Sequence, residues 1–175
     1  VRHATVPRPR IHRLARMDRG LALASLSPRL ANAVMRRPFA RRVLERVAGV
    51  SREVALPPFA ERTFHATWRA GAGPHDVTLI VDCATDALAP AVAHAAARVM
   101  SRVGRRACAP RLPCCARPLF EAGRLEEARA QVRRLIDALP SQGEIVAVEP
   151  ACASMLRDDA LRLLPEDARV QSVAA

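Results

Sequence analysis

The sequence predicts an α/β fold: a small parallel sheet with helices on both faces, preceded by a helical N-terminal linker. Three observations carry this expectation. Strand-like and helix-like stretches alternate from residue 77 onward, the order that builds a parallel sheet through right-handed crossovers. The run Val77-Thr-Leu-Ile-Val81 is continuously apolar and β-branched, as in a strand buried on both faces. The charge is also split along the chain. Residues 1–70 hold fifteen arginines against Asp18, Glu45, Glu53 and Glu61, and so account for the whole net charge of +11. Residues 71–175 hold thirteen arginines and thirteen acids. The expected organisation is a basic helical arm over 1–73 and an α/β domain over 74–175.

The elements follow in order. Residues 1–27 mix arginine with Pro7 and Pro9, which reads as a loose arm leading into a short helical stretch near Ile11–Leu26. Pro28 opens a helix through Met35, and Pro38 opens the next, at a position where its missing N–H costs nothing. Phe39, Val43, Leu44 and Val47 form one apolar stripe on that helix, with Arg41, Arg42 and Arg46 off it, and Gly49 closes it. Pro57-Pro58 breaks the chain. Ala60, Phe64 and Trp68 are then spaced to share a face, before the flexible boundary Gly71-Ala-Gly-Pro74.

After the first strand comes a helix with Val92, Ala96, Val99, Met100 and Val103 on one side, ended by Gly104. Residues 106–109 read as a short second strand, and a turn with Pro110 and Pro113 leads to Cys114-Cys115. A long helix carries Leu125, Ala128, Val132, Leu135, Ile136 and Leu139 on one face and stops at Pro140. Glu144-Ile-Val-Ala-Val148 is a third strand. Pro150 precedes a helix near Ser154–Leu164, and Val170–Val173 reads as a last strand.

Composition excludes several classes. Half the residues are hydrophobic and 26% are charged, a globular balance. Aromatics are 3%, with Trp68 the single Trp and no Tyr, too few for a base-stacking surface. No DNA-binding motif accompanies the Arg-rich helices, so no nucleic-acid partner is expected, although an Arg-driven binder of nucleic acid or anionic membrane is a competing reading of the arm. No apolar run reaches membrane-spanning length and no signal-peptide core is seen, so cytoplasmic surroundings are expected. All 28 basic residues are arginine. His3, His12, His65, His75 and His94 are not paired with acids at useful spacing, so no His–acid catalytic pair is read, and no Gly-x-Gly-x-x-Gly occurs.

The chemistry lies in the cysteines. Their odd count and the absence of a secretory signal argue for reduced thiols rather than a disulfide framework. Cys83 lies just after the first strand, Cys114-Cys115 in the loop after the second, and Cys152 just after the third. In an open parallel sheet the loops at the carboxyl ends of the strands form the binding crevice. Four thiols are therefore aimed at one rim, while Cys108, inside the second strand, has a packing role. Adjacent cysteines grip one tetrahedral ion poorly, but each can supply a thiolate to a neighbouring iron of a cluster. All-thiolate ligation without a nearby His favours iron–sulfur over zinc. Two simply packed thiols at 114 and 115 are the ordinary alternative.

These residues resemble the cysteine-rich CCG domain found in heterodisulfide reductase, the anchor subunit of anaerobic glycerol-3-phosphate dehydrogenase, the iron–sulfur subunit of glycolate oxidase and lactate-utilisation proteins. That family carries a Cys, a Cys-Cys-Gly and a Cys-x-x-Cys, spaced by roughly thirty to forty residues. Cys114-Cys-Ala-Arg-Pro-Leu-Phe-Glu-Ala-Gly123 and Glu149-Pro-Ala-Cys-Ala-Ser-Met-Leu-Arg-Asp158 look like stretches in the C-terminal module of FAD-linked D-2-hydroxyacid dehydrogenases. Pro28-Arg-Leu-Ala-Asn32 and Leu56-Pro-Pro-Phe-Ala60 through Trp68 resemble the helical linker before that module. There are two departures: Ala116 stands where the family has Gly, and Met155 where it has the last Cys.

The resemblance implies an iron–sulfur cluster, of four-iron four-sulfur type, held by Cys83, Cys114, Cys115 and Cys152, with Met155 at the fifth ligand position. It implies electron transfer in a lactate- or glycolate-type oxidoreductase rather than catalysis by this chain alone. FAD would belong to a partner or missing domain, so the partners implied are a flavin-containing dehydrogenase and a membrane-associated electron acceptor, with the protein at the inner membrane face. The FAD domain and the Cys-x-x-Cys-x-x-Cys stretch that lie upstream in such enzymes are not in this sequence, which suggests a C-terminal piece. The alternative is a cluster-free docking domain or a remnant without activity of its own.

Overall fold

The computed structural model describes residues 14–70, 73–140 and 143–175. The arm with Pro7 and Pro9, and Gly71 at the expected boundary, lie outside the described residues. Strands β1 (Val77–Ile80), β2 (Ala107–Cys108) and β3 (Glu144–Ala147) form one parallel sheet in the order β2-β1-β3. β1 is central and all four of its residues are buried, as its continuous apolar run requires. Val77 lies opposite Ala107 on one side and Glu144 on the other. Only residues 107 and 108 of the expected second strand pair in the ladder, because Pro110 has no N–H to donate.

The crossovers are helical. Helices α5 (Cys83–Leu88) and α6 (Pro90–Arg102) join β1 to β2, and α7 (Arg117–Glu121) and α8 (Leu125–Ala138) join β2 to β3. Successive side chains of a strand point to opposite faces. Leu79 accordingly packs with Ala93 and Ala97 of α6 in one apolar cluster, and Ile80 with Val132, Leu135 and Ile136 of α8 in another. Helices cover the sheet on both sides. The α8 contacts come from the stripe its sequence predicts.

The N-terminal segment is helical too: α1 (Met17–Ala24), α2 (Pro28–Met35), α3 (Pro38–Ala48) and the single turn α4 (Phe64–Thr67). Pro28 and Pro38 occupy first-turn positions, and Gly49, at φ 74°, ends α3 in the left-handed conformation. Asn32 braces α2 against the chain beyond Pro58: its Nδ2 donates to Phe59 O at 2.9 Å and its Oδ1 accepts from Phe59 N–H at 2.8 Å. Ala60 is not on the α4 face. Its N–H donates to Ala87 O at 2.9 Å and so ties this stretch to α5. Phe64 is fully buried in the cluster of Leu79, Val81, Ala93 and Ala97, with Trp68 packed against it. The last turn of the helical linker thus fills one side of the sheet.

The C-terminal region differs from expectation. The helix after β3 begins at Pro150, not near Ser154: α9 (Pro150–Ser154) runs into a π-helical turn over Met155–Asp159 and then α10 (Ala160–Leu163). Glu149 starts it by accepting from Ala151 N–H. The last strand expected at Val170–Val173 is instead within helix α11 (Ala168–Ala174). The physical reason is local. Asp167 Oδ1 accepts from the N–H groups of Arg169 and Val170, an N-cap that nucleates a helix. Val170 and Val173, three residues apart, then pack on the same core.

Ala116, at φ 71°, is the one non-glycine residue with left-handed backbone among the described residues. It is fully buried between Cys115 and α7. Such a conformation costs an L-residue about 1–2 kcal/mol, which explains physically why the resembled motif has Gly there. Ala116→Val is expected to destabilise the protein by about 2–3 kcal/mol, since a branched side chain meets both the backbone restriction and a filled core. Ala116→Gly should stay within about 1 kcal/mol of the parent, relief of strain being offset by a lost buried methyl and a freer unfolded chain. Urea denaturation of both variants measures this.

Candidate functional site

Each of the four thiols sits where a strand ends. Cys83 is the first residue of α5, started by Asp82, whose Oδ1 accepts from the N–H groups of Ala84 and Thr85 at 2.9 Å each. Cys114 and Cys115 end the loop that follows β2. Cys152 lies in α9, directly after β3. The structure brings all four together in a row. Cys83, Cys114, Cys115 and Cys152 all line one cavity, and Cys114 interacts with Cys83 and with Cys115. Cys115 and Cys152 have their Sγ atoms 2.9 Å apart, both buried. Cys108 is separate: its Sγ lies 3.6 Å from Thr78 Oγ1 within the sheet. Met155 is fully buried in the same apolar cluster as Cys115 and Cys152.

The four thiols line a cavity of about 380 Å³ whose wall also carries Arg16, Arg19, Arg111 and Arg134 together with Asp18, Asp82 and Asp86. The hydrogen bond from Cys115, then that from Cys83, hold Cys114 well below the ordinary thiol range against the opposing effect of burial, with the N–H groups of Ala116 and Cys115 helping. The same bonds to Cys114, together with burial, push Cys83 and Cys115 up.

Thiolates are the donors an iron–sulfur group takes, and four thiols line this one cavity, whose other charged residues are mixed in sign. A single-ion site is a different matter. Among the described residues no three His, Cys, Asp or Glu side chains are grouped to hold a metal ion. Cys115 and Cys152 instead lie against each other as hydrogen-bonded thiols.

Sequence reasoning missed three supports of this row. Gln131 of α8 donates from Nε2 to Cys114 O at 3.2 Å. Its signal was a polar residue inside the apolar stripe of a long helix. Arg117 Nη1 donates to Asp159 Oδ2 at 2.8 Å and so ties the turn after Cys115 to the π turn after Cys152. His65 is the third support, and it corrects the reading that no histidine is paired with an acid. His65 Nδ1 lies 2.9 Å from Asp86 Oδ1, its backbone N–H donates to the same oxygen at 2.9 Å, and its Nε2 lies 3.2 Å from Pro110 O. Both ring partners are acceptors, so only the protonated ring makes both bonds. The contact spans 21 residues, a separation at which linear spacing carries no signal. Asp86 lies one helical turn beyond Cys83, and Pro110 leads to Cys114, so one residue of the linker clamps two thiol-bearing segments.

Burial works against the charge of Asp86, but the bonds and charge of His65 outweigh it and hold the carboxyl below its ordinary value. A depressed carboxyl contributes stability that is present above the unfolded-state value of about 3.9 and is lost as pH falls through the folded-state value. Asp86→Asn is therefore expected to lower stability at neutral pH, with the gap to the parent closing as pH drops below about 4. Urea midpoints measured across pH test this. A gap that does not change with pH counts against the clamp.

No protein-family model matches the chain, and no solved structure matches it. The chain is similar to Lactate utilization protein A of Oceanobacillus iheyensis, at 26% identity over 83 residues. These residues make up 47% of this chain and 34% of that protein, so the chain matches about a third of its relative's length.

Proposed function

We propose that this chain is an electron-transfer module of a lactate-type oxidoreductase, with Cys114 and Cys115 as central iron–sulfur ligands and Cys83 and Cys152 completing the set. The observation that supports this most is the meeting of four thiols, drawn from three separate strand-end segments, in one row on one cavity. The distant likeness to a lactate-utilization protein supports the substrate class, and the flavin that oxidises a 2-hydroxyacid belongs to a partner. When bound, an iron–sulfur cluster supplies one-electron transfer. The chain's own residues position and shield the thiols. Gln131 and the His65 clamp fix the 110–115 loop, Arg117 joins it to the segment bearing Cys152, and burial of Cys115 and Cys152 excludes water.

A second reading is a cluster-free interaction module, favoured by the sulfurs being engaged with each other. Anaerobic reconstitution with ferrous iron and sulfide separates the two. The proposal expects iron and acid-labile sulfide to stay with the protein through gel filtration, together with a visible thiolate-to-iron absorption. A colourless, folded, metal-free protein overturns it.

A further inference from the structure

The N-terminal helices leave a large apolar groove that borders the thiol cavity at Arg16 but contains none of the four cysteines. It has a volume of about 950 Å³ and runs between α1, α2, α3 and the chain over 50–59. Three of its lining residues are strongly exposed: Leu23 at 71%, Leu30 at 64% and Val54 at 56%. Apolar surface gathered in one concave site marks an interaction face rather than ordinary surface scatter. We propose that this groove seats an amphipathic helix of a partner protein, one whose apolar ridge is flanked by Asp and Glu.

Three features select that occupant. The charged residues lining the groove are Arg16, Arg36, Arg41 and Arg52 against Glu53 alone; Arg16 is ion-paired with Glu127 and Arg52 with Glu45, which leaves Arg36 and Arg41 to meet a partner, and residues 14–56 carry nine arginines against three acids. The complementary surface is acidic, which also argues against a second copy of this chain, itself at +11. The walls are side chains of helices and a loop, while the sheet with its edges lies elsewhere in the fold. An extended peptide would find no strand edge to satisfy its backbone, whereas a helix satisfies its own. A bilayer would also meet the charge, but it engages a projecting face, and this one is concave.

The test uses the full chain and two labelled helical peptides of about four turns, each with leucines at i, i+3, i+4 and i+7, one flanked by glutamates and the other by lysines. The glutamate peptide is expected to bind saturably at micromolar concentration, at least about tenfold more tightly than the lysine peptide, and to weaken as salt rises. Leu30→Glu, or Val54→Glu as a second exposed position, is expected to weaken it at least about tenfold with the circular dichroism spectrum unchanged. Equal binding of both peptides, binding unchanged in both variants, stronger partition to vesicles of phosphatidylglycerol and phosphatidylcholine than to the peptide, or concentration-dependent self-association through Leu30 would each overturn the proposal.

Discussion

With Cys114 and Cys115 both replaced by alanine, the reconstituted protein is expected to retain neither iron nor sulfide. These two residues hold the centre of the row: Cys114 interacts with Cys83 and Cys115, and Cys115 lies 2.9 Å from Cys152. Removing both separates the outer two thiols and leaves too few donors at any point of the cavity. The fold should survive. A buried cysteine behaves as a small hydrophobe, and truncating each costs on the order of 1 kcal/mol. Cys83→Ala and Cys152→Ala singly should each lower the iron retained, because Met155 already stands where the resembled family has another thiolate. Cys108→Ala is the control and should change nothing, since its sulfur faces Thr78 within the sheet. Full iron retention in the Cys114/Cys115 double variant would show that metal binds elsewhere or adventitiously.

Phe64→Ala is expected to cost about 3–5 kcal/mol, a large part of the roughly 5–15 kcal/mol that stabilises a domain. Its ring is fully buried and stacks on Trp68 with centroids 5.2 Å apart and planes at 23°, while His94 approaches at 4.8 Å. Truncation opens a cavity beneath the central strand, where Leu79 and Ala93 have little freedom to collapse into it. The urea midpoint reads the loss, and a change under about 1.5 kcal/mol would show that Phe64 is not part of the sheet's core. The same ring predicts that a chain beginning at residue 74 folds poorly, because it lacks the side chain that fills this face.

Much of this architecture was legible in the sequence, for identifiable reasons. The run at 77–81 is apolar but for Thr78, the mark of a strand buried on both faces. Pro28 and Pro38 mark helix starts because proline fits the first turn. The thiol rim was legible because parallel topology forces all strand ends to one side, which turns cysteine positions along the chain into neighbours in space. Other features depend on contacts that sequence order does not encode. α5 and α7 are too short for apolar periodicity to show, and α5 is set by the Asp82 cap. Val170 and Val173 favour strand by residue type, and the Asp167 cap overrides them. His65 finds Asp86 only after the sheet has brought α4 beside α5. The π turn over Met155–Asp159 places one extra residue in a helical turn, and no composition signals it.

The segment from Phe59 to Trp68 works as a strut. Its first residue is pinned to α2 through Asn32, Ala60 to α5 through Ala87, and His65 to two of the three thiol-bearing segments. Load applied to the basic helices is therefore carried to the sulfurs by short, directional links rather than lost in a slack tether. Whatever grips the arginine-rich end also holds the reactive rim taut.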